Sequence, residues 1–343
     1  MYKTPIFSHN IIGSGRPQIL LIGNGLERCG TPTTPDPKGR TNQLSWDELV
    51  DSIKAENCIE VSAEEKKNVP FPLLYSLLSS PFPAPSTLSI EEISEEDKRL
   101  RGAMGKLSQA SYPCLDLLKT ICADHIMTTN YNYSLEQSFF PGKDFMNSHV
   151  RSKQRFNLNP ISRNGNAVRE VIYRMHSGYL AENSDGTSVG LWHIHGECSI
   201  PKGVVLGHDR YGRLLSHIEK ICSSQDYENL PSGSSPHSFK SWPELFLYGD
   251  VHILGFSFDL SEFDLWWLLK RKQREQRGNG KVYFYEFHEP KSIKQKLLKA
   301  HGVELPYISA RRGDYLGFYT KAITEIINSI KATKGEVSEN DIE

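Results

Sequence analysis

The sequence predicts an α/β fold, a mostly parallel sheet with helices on both faces, plus a small and mainly helical insertion. Two observations predict it. Short apolar, β-type runs recur at Gln18-Ile19-Leu20-Leu21-Ile22, His125-Ile126-Met127-Thr128, Gly190-Leu191-Trp192-His193, Val251-His252-Ile253-Leu254 and Val282-Tyr283-Phe284-Tyr285. Such runs, bounded by turn residues, read as strands buried on both faces. Four of them also stop abruptly in glycine, hydroxyl, amide or imidazole side chains, and helical stretches separate most of them, as expected where a parallel sheet presents ligand groups at its carboxyl edge.

With 343 residues the chain can bury a large core, and we expect one large domain over 1–334, carrying insertions at about 58–111 and 140–190, with a disordered polar tail at 335–343. Forty basic residues against 41 acidic ones leave a net charge of -1, so neither nucleic acid nor an anionic membrane surface is an expected partner. Six scattered cysteines form no CxxC pair, no signal peptide is evident, and no apolar run approaches the ~20 residues of a spanning helix. A cytoplasmic protein with reduced thiols is expected.

The first strand, 18–22, runs into Gly23-Asn24-Gly25. In a Rossmann-like fold a glycine turn after the first strand lets main-chain N–H groups approach a pyrophosphate, although such a turn also occurs without a ligand. The Pro- and Thr-rich stretch 28–44 reads as a surface loop or a lid, followed by an amphipathic helix over 46–55. Pro-Phe-Pro punctuation places a helix at 73–78, and the acidic run from Glu91 to Asp97 reads as a solvated helix face.

A helix over 112–122 leads to the strand beginning at His125, which delivers Thr128, Thr129, Asn130, Tyr131 and Asn132 to the sheet edge. Asn130 is the expected centre of the site, while Asn132 and the hydroxyls equally suit capping of a helix at 134–139. Residues 140–190 look loop-rich, with a hairpin strand at 168–173. Alternation along the strand at 190–195 puts His193 and His195 on one face, and no third metal ligand lies at suitable spacing, so no metal is expected. His195 reads as an acid/base group or as a hydrogen-bonded strand-end histidine. A further strand is expected at 204–207 and a helix over 212–222.

Gly255 and Ser257 close the strand at 251–254 in the manner of a phosphate-binding turn, and the basic residues 270–277 read as the solvated end of the next helix. Glu286 ends the last strand where a carboxylate can accept from ribose hydroxyls. Helices over 291–300 and 319–331 complete the core.

The ordered set Gly23-Asn24-Gly25, Thr128-Thr129-Asn130-Tyr131-Asn132, His195-Gly196 and Gly255-Phe256-Ser257 resembles the sirtuin superfamily, and most closely the sirtuin-like NAD hydrolases of bacterial anti-phage defence. The resemblance spans roughly residues 17–290. It implies NAD as substrate, Gly23, Asn24 and Gly25 at its pyrophosphate, and Gly255 and Ser257 at its phosphates. It implies that Asn130, beside Thr128 and Thr129, orients the nicotinamide ribose and a water, that His195 is the general base, and that Tyr131 and Asn132 face the nicotinamide amide. Glu286 is the candidate for the adenosine ribose. Asn132 stands where the family usually has aspartate. The zinc module of deacylating sirtuins needs two CxxC pairs and is missing, which favours cleavage of the nicotinamide–ribose bond over deacylation. The resemblance further implies control by homo-oligomerisation or a second defence-system protein. A non-catalytic NAD- or ADP-ribose-binding subunit is the alternative, and a zinc-less deacylase the third reading.

Overall fold

A computed structural model describes residues 16–41, 46–80, 90–158, 174–224, 239–287, 292–311 and 313–334. The expected strand at 168–173 and the tail at 335–343 lie outside the described residues. Among the described residues eight strands form one sheet: β1 (Gln18–Ile22), β2 (His125–Thr128), β3 (Arg155–Asn157), β4 (Ser177–Glu182), β5 (Ser188–His193), β6 (Asp250–Leu254), β7 (Val282–Tyr285) and β8 (Val303–Glu304). Their spatial order is β3-β4-β5-β2-β1-β6-β7-β8. The six from β5 to β8 run parallel, and β4 and β3 add an antiparallel edge.

β1 is central because its five residues are buried on both faces. Leu20 and Ile22 join one apolar layer, Ile19 and Leu21 the other, as strand alternation requires. The first layer is covered by α1 (Trp46–Ile53), α3 (Phe71–Ser79), α4 (Ile90–Gly105), α5 (Pro113–Asp116), α6 (Ser134–Phe139), α7 (Ser148–Gln154) and, at the chain's far end, a long terminal helix, with the short α2 (Ala63–Asn68) between α1 and α3 in the chain. The second is covered by α8 (His208–Cys222), α9 (Trp242–Tyr248), α10 (Phe263–Glu275) and α11 (Ile293–Ala300). The terminal helix of the first layer is α12 (Tyr315–Lys334). Each fully buried Ile or Leu of β1 contributes roughly 1.5–3 kcal/mol, so this strand anchors both layers.

Several expectations are corrected. The stretch 112–122 is one α turn followed by a 3-10 segment, Leu117–Ile121, ended by Cys122 in the left-handed region. The apolar run Val204-Val205-Leu206 is buried but joins no strand. Its backbone pairs instead with the turn beyond β5, Val205 N–H donating to His195 O at 2.8 Å. The hairpin β4–β5 was missed although its turn holds Asp185-Gly186, with Gly186 at φ 82°. Helix α9 was missed too, although Ser241 caps it by accepting from Glu244 N–H. Lys272, expected in a solvated basic tail, is buried and donates to Phe246 O (3.1 Å), Leu247 O (2.9 Å) and Gly249 O (2.7 Å), closing the carboxyl end of α9.

Candidate functional site

The carboxyl ends of the parallel strands share one edge of the sheet. In strand order that edge carries His195 beyond β5, Asn130 beyond β2, Glu27 beyond β1, Gly255 beyond β6 and Glu286 beyond β7. Five neighbouring strands at ~4.8 Å spacing span about 19 Å, enough for an extended dinucleotide. The chain's order reverses at β1, which has β2 on one side and β6 on the other, and such a reversal opens the crevice where open α/β sheets bind ligands.

Beyond β1 the chain enters a 3-10 turn, Asn24–Arg28, that buries Leu26 and Glu27 and leaves Asn24 half-buried. Gly25 N–H donates to Gly255 O at 2.9 Å, so this turn is bonded to the turn beyond β6. A Cβ on Gly25 would stand 2.6 Å from Tyr319 Oη and 2.7 Å from Gly255 O, and one on Gly23 would stand 2.8 Å from Gly255 O. Close approach of the two turns therefore demands glycine at both positions, a reason that holds with or without a ligand.

Beyond β2, Thr129 N–H donates to Ile22 O (3.3 Å) and Asn130 N–H to Thr128 Oγ1 (3.1 Å), which draws the turn over the end of β1. The two amides then converge on one carboxylate: Asn130 Nδ2 donates to Glu27 Oε1 at 2.6 Å and Asn132 Nδ2 to Glu27 Oε2 at 2.7 Å. This overturns capping by Asn132. The N-cap of α6 is Tyr133, which makes no side-chain cap bond, and the Asn132 amide is held instead by the buried carboxylate. Asn132 Oδ1 is buried without a partner. Tyr131 donates its hydroxyl to Val205 O at 2.8 Å, inside the protein.

Glu27 was not singled out in the sequence, where Gly25-Leu26-Glu27 carries no signal beyond the turn. Burial raises its pKa to about 7, against the lowering effect of the Asn132 and Asn130 bonds.

The two histidines do not share a face, contrary to the alternation expected from sequence. β5 ends at His193, and the chain turns through Gly196 at φ 96°, where a Cβ would stand 2.2 Å from Gly203 O. His193 turns toward α6: Nδ1 bonds Asn130 O (2.8 Å) and Nε2 bonds Glu136 Oε1 (2.9 Å). With acceptors at both nitrogens the imidazolium is favoured; burial opposes the charge, but Glu136 above all raises the pKa to about 9.

His195 turns to the opposite side of the sheet. The segment beyond β6, a strand three places from β5 in the sheet, brings Asp264 Oδ2 to 3.0 Å from Nε2 and Glu262 Oε2 to 3.7 Å from Nδ1. Nε2 carries a proton and donates to Asp264, which fixes the ring. Burial again opposes the charge, and Asp264 and then Glu262 outweigh it, so the His195 pKa is raised. Glu262, which accepts from Tyr211 Oη at 2.8 Å, is itself pushed up to about 7 by burial.

His195, Glu262 and Asp264 bring one nitrogen and two oxygens within 4.8 Å of one another, so tertiary structure supplies ligand spacing for a metal ion that the sequence lacks. Each ring nitrogen faces a different carboxylate, however, an arrangement that suits a protonated imidazole.

Behind this turn Glu197 is buried among Arg174 Nε (3.1 Å), Arg155 Nη2 (3.3 Å), Tyr133 Oη (2.7 Å) and the Tyr179 hydroxyl. At the other end of the edge Ser257 is exposed, and its carbonyl accepts from Lys294 Nζ (2.9 Å), which also meets Glu286 Oε1 at 3.0 Å. Gln295 donates to the second Glu286 oxygen.

A parallel sheet with helices on both faces and polar groups gathered at the switch point defines a Rossmann-like α/β protein. The SIR2-like domain family model matches residues 124–306, and the chain belongs to that family, whose members use NAD as substrate. β1 and Glu27 precede the matched range, yet β1 is the central strand of the same sheet. No curated protein matches the sequence. Among the described residues no helix is long and apolar enough to cross a membrane.

Proposed function

We propose that the chain is an NAD+ glycohydrolase that cleaves the nicotinamide–ribose bond, giving nicotinamide and ADP-ribose. The observation that carries the reading is the order of groups along the sheet edge: His195 and Asn130 at one end, the paired turns of Gly23 and Gly255 in the middle, Glu286 at the far end. A dinucleotide laid along it has nicotinamide over β2 and β5, pyrophosphate over Gly23, Asn24, Gly25, Gly255 and Ser257, and adenosine ribose near Glu286. Thr128 and Thr129 hold the Asn130 turn, and Tyr131 and Asn132 flank it.

In this reading the C1′–N bond breaks, nicotinamide leaves with the bonding electrons, and positive charge develops on the ribose. Water attacks the anomeric carbon and His195, once deprotonated, accepts its proton. Asn130 orients the ribose and the water. Without two CxxC pairs no sirtuin-type zinc module is available for deacylation. An enzyme of this kind depletes NAD in its own cell, so we place it in anti-phage abortive infection, under control by a partner or by oligomerisation through the stretches 58–111 and 140–190.

A second reading, NAD or ADP-ribose binding without turnover, is favoured by one observation: His195 is 2% exposed with carboxylates at both nitrogens. Nicotinamide release from NAD by the purified protein, alone and with proteins encoded beside it, decides between them. Release abolished in Asn130→Ala and His195→Ala supports hydrolysis. Release retained in both variants overturns the residue roles, and binding without release selects the second reading.

A further inference from the structure

We propose that Glu27 is a positioning residue of this site, a carboxylate that clamps both amides beyond β2 and so makes Asn132 Oδ1 the acceptor for the carboxamide of the leaving base. The inference rests on the NAD reading above and deepens it.

Four observations carry it. Glu27 is 7% exposed, and each of its two oxygens accepts from a different side chain, Asn130 and Asn132. An asparagine amide bonded through Nδ2 has its orientation decided, since a carboxylate only accepts; both Oδ1 atoms must then point away from Glu27. Asn132 Oδ1 is buried and unpartnered, which costs stability unless a donor arrives. Finally, the clamp joins the turn of β1, the strand at which the chain's order reverses, to the turn of its neighbour β2, so it borders the crevice where a ligand sits.

The chemistry that satisfies Asn132 Oδ1 is an N–H or O–H donor. A nicotinamide carboxamide supplies one; the nicotinic acid analogue, in which that group is a carboxylate, brings acceptor against acceptor. The clamp therefore selects NAD over its deamido analogue. Glu27 also returns a negative charge to a site whose residue 132 is neutral. The groups facing it are the Asn130 and Asn132 amides, Glu136 on α6, His193 at the end of β5, and Tyr112 before α5.

Glu27→Gln keeps the shape but adds a donor, so one asparagine must turn its amide over. Nicotinamide release, affinity for NAD and for deamido-NAD, and the pH profile of kcat/KM are measured for wild type, Glu27→Gln and Glu27→Asp. Wild type is expected to cleave NAD at least about tenfold better than deamido-NAD, with an ionisation near 7 in its profile. Glu27→Gln is expected to lose about 10- to 100-fold in kcat/KM, the preference for the carboxamide, and that ionisation, with affinity for ADP-ribose kept. Glu27→Asp, which retains charge but falls short of both amides, is expected to lose rate and keep the ionisation, and it decides the matter if the glutamine variant does not fold. Cleavage with unchanged rate and preference in both variants overturns the clamp and leaves the NAD reading standing. A wild type that neither binds nor cleaves NAD overturns both.

Discussion

Replacing Glu197 by glutamine tests how the turn that carries His195 is held. The carboxylate lies two residues beyond His195 and faces two guanidinium groups, Arg155 and Arg174, and two tyrosine hydroxyls, with side chains 2%, 8% and 11% exposed for Glu197, Arg155 and Arg174. Glutamine keeps the volume and one acceptor but leaves Arg155 buried without a counter-charge. Removing one partner from a buried ion pair costs about 3–5 kcal/mol. At about 2–4 °C per kcal/mol the melting temperature drops by roughly 6–20 °C.

The pH dependence gives a second handle. Burial would raise the Glu197 pKa, but Arg155 and Arg174 hold it far below its ordinary 4.5. A carboxyl whose folded pKa is depressed stabilises fully above the unfolded value and loses that contribution as pH falls towards the folded one. The gap in melting temperature between wild type and Glu197→Gln should therefore narrow below pH 4.5. Calorimetric melts between pH 3 and pH 8 measure both effects, and a difference under ~1 kcal/mol near neutrality, or a gap that widens in acid, refutes the reasoning.

Three further outcomes are expected. Asp264→Asn removes the charge that most strongly favours protonated His195, so under the proposed NAD cleavage the acid limb of kcat/KM should shift to lower pH; an unmoved limb would separate Asp264 from the proposed base. Lys272→Met strips three buried carbonyls at the end of α9 of their donor and should cost about 3 kcal/mol in urea unfolding, with an unchanged midpoint counting against it. Gly255→Ala forces alanine to φ 64° with Cβ 2.9 Å from Leu26 Cγ, so a loss of about 2–4 kcal/mol together with weaker NAD binding is expected; wild-type melting would show that the turn can shift.

Much of the architecture is legible in the chain because the parallel strands are short continuous apolar runs. Gln18–Ile22 reads as a strand buried on both faces, and so it is. The same rule misreads Val204-Val205-Leu206, whose burial is equally complete but whose backbone partners lie in the turn beyond β5. Helix α6 matches its expected bounds, whereas α8 starts four residues earlier than expected because Gly207 serves as its N-cap without a side-chain bond. Periodicity locates apolar faces, and it is silent about which backbone group pairs with which.

Within the site, the sequence by itself determined the strand ends and the residue types gathered there: two glycine turns, the Asn130 segment, a histidine before Gly196 and a terminal Glu286. These follow from local rules, since an apolar run and the residues closing it are contiguous. Only the tertiary structure decided the partners. Glu27 meets Asn130 and Asn132 across more than a hundred residues of chain, and Asp264 reaches His195 from a helix that begins three strands away. Charge, proton position and amide orientation are properties of those encounters, because each depends on which group lies within about 3 Å in a dry interior.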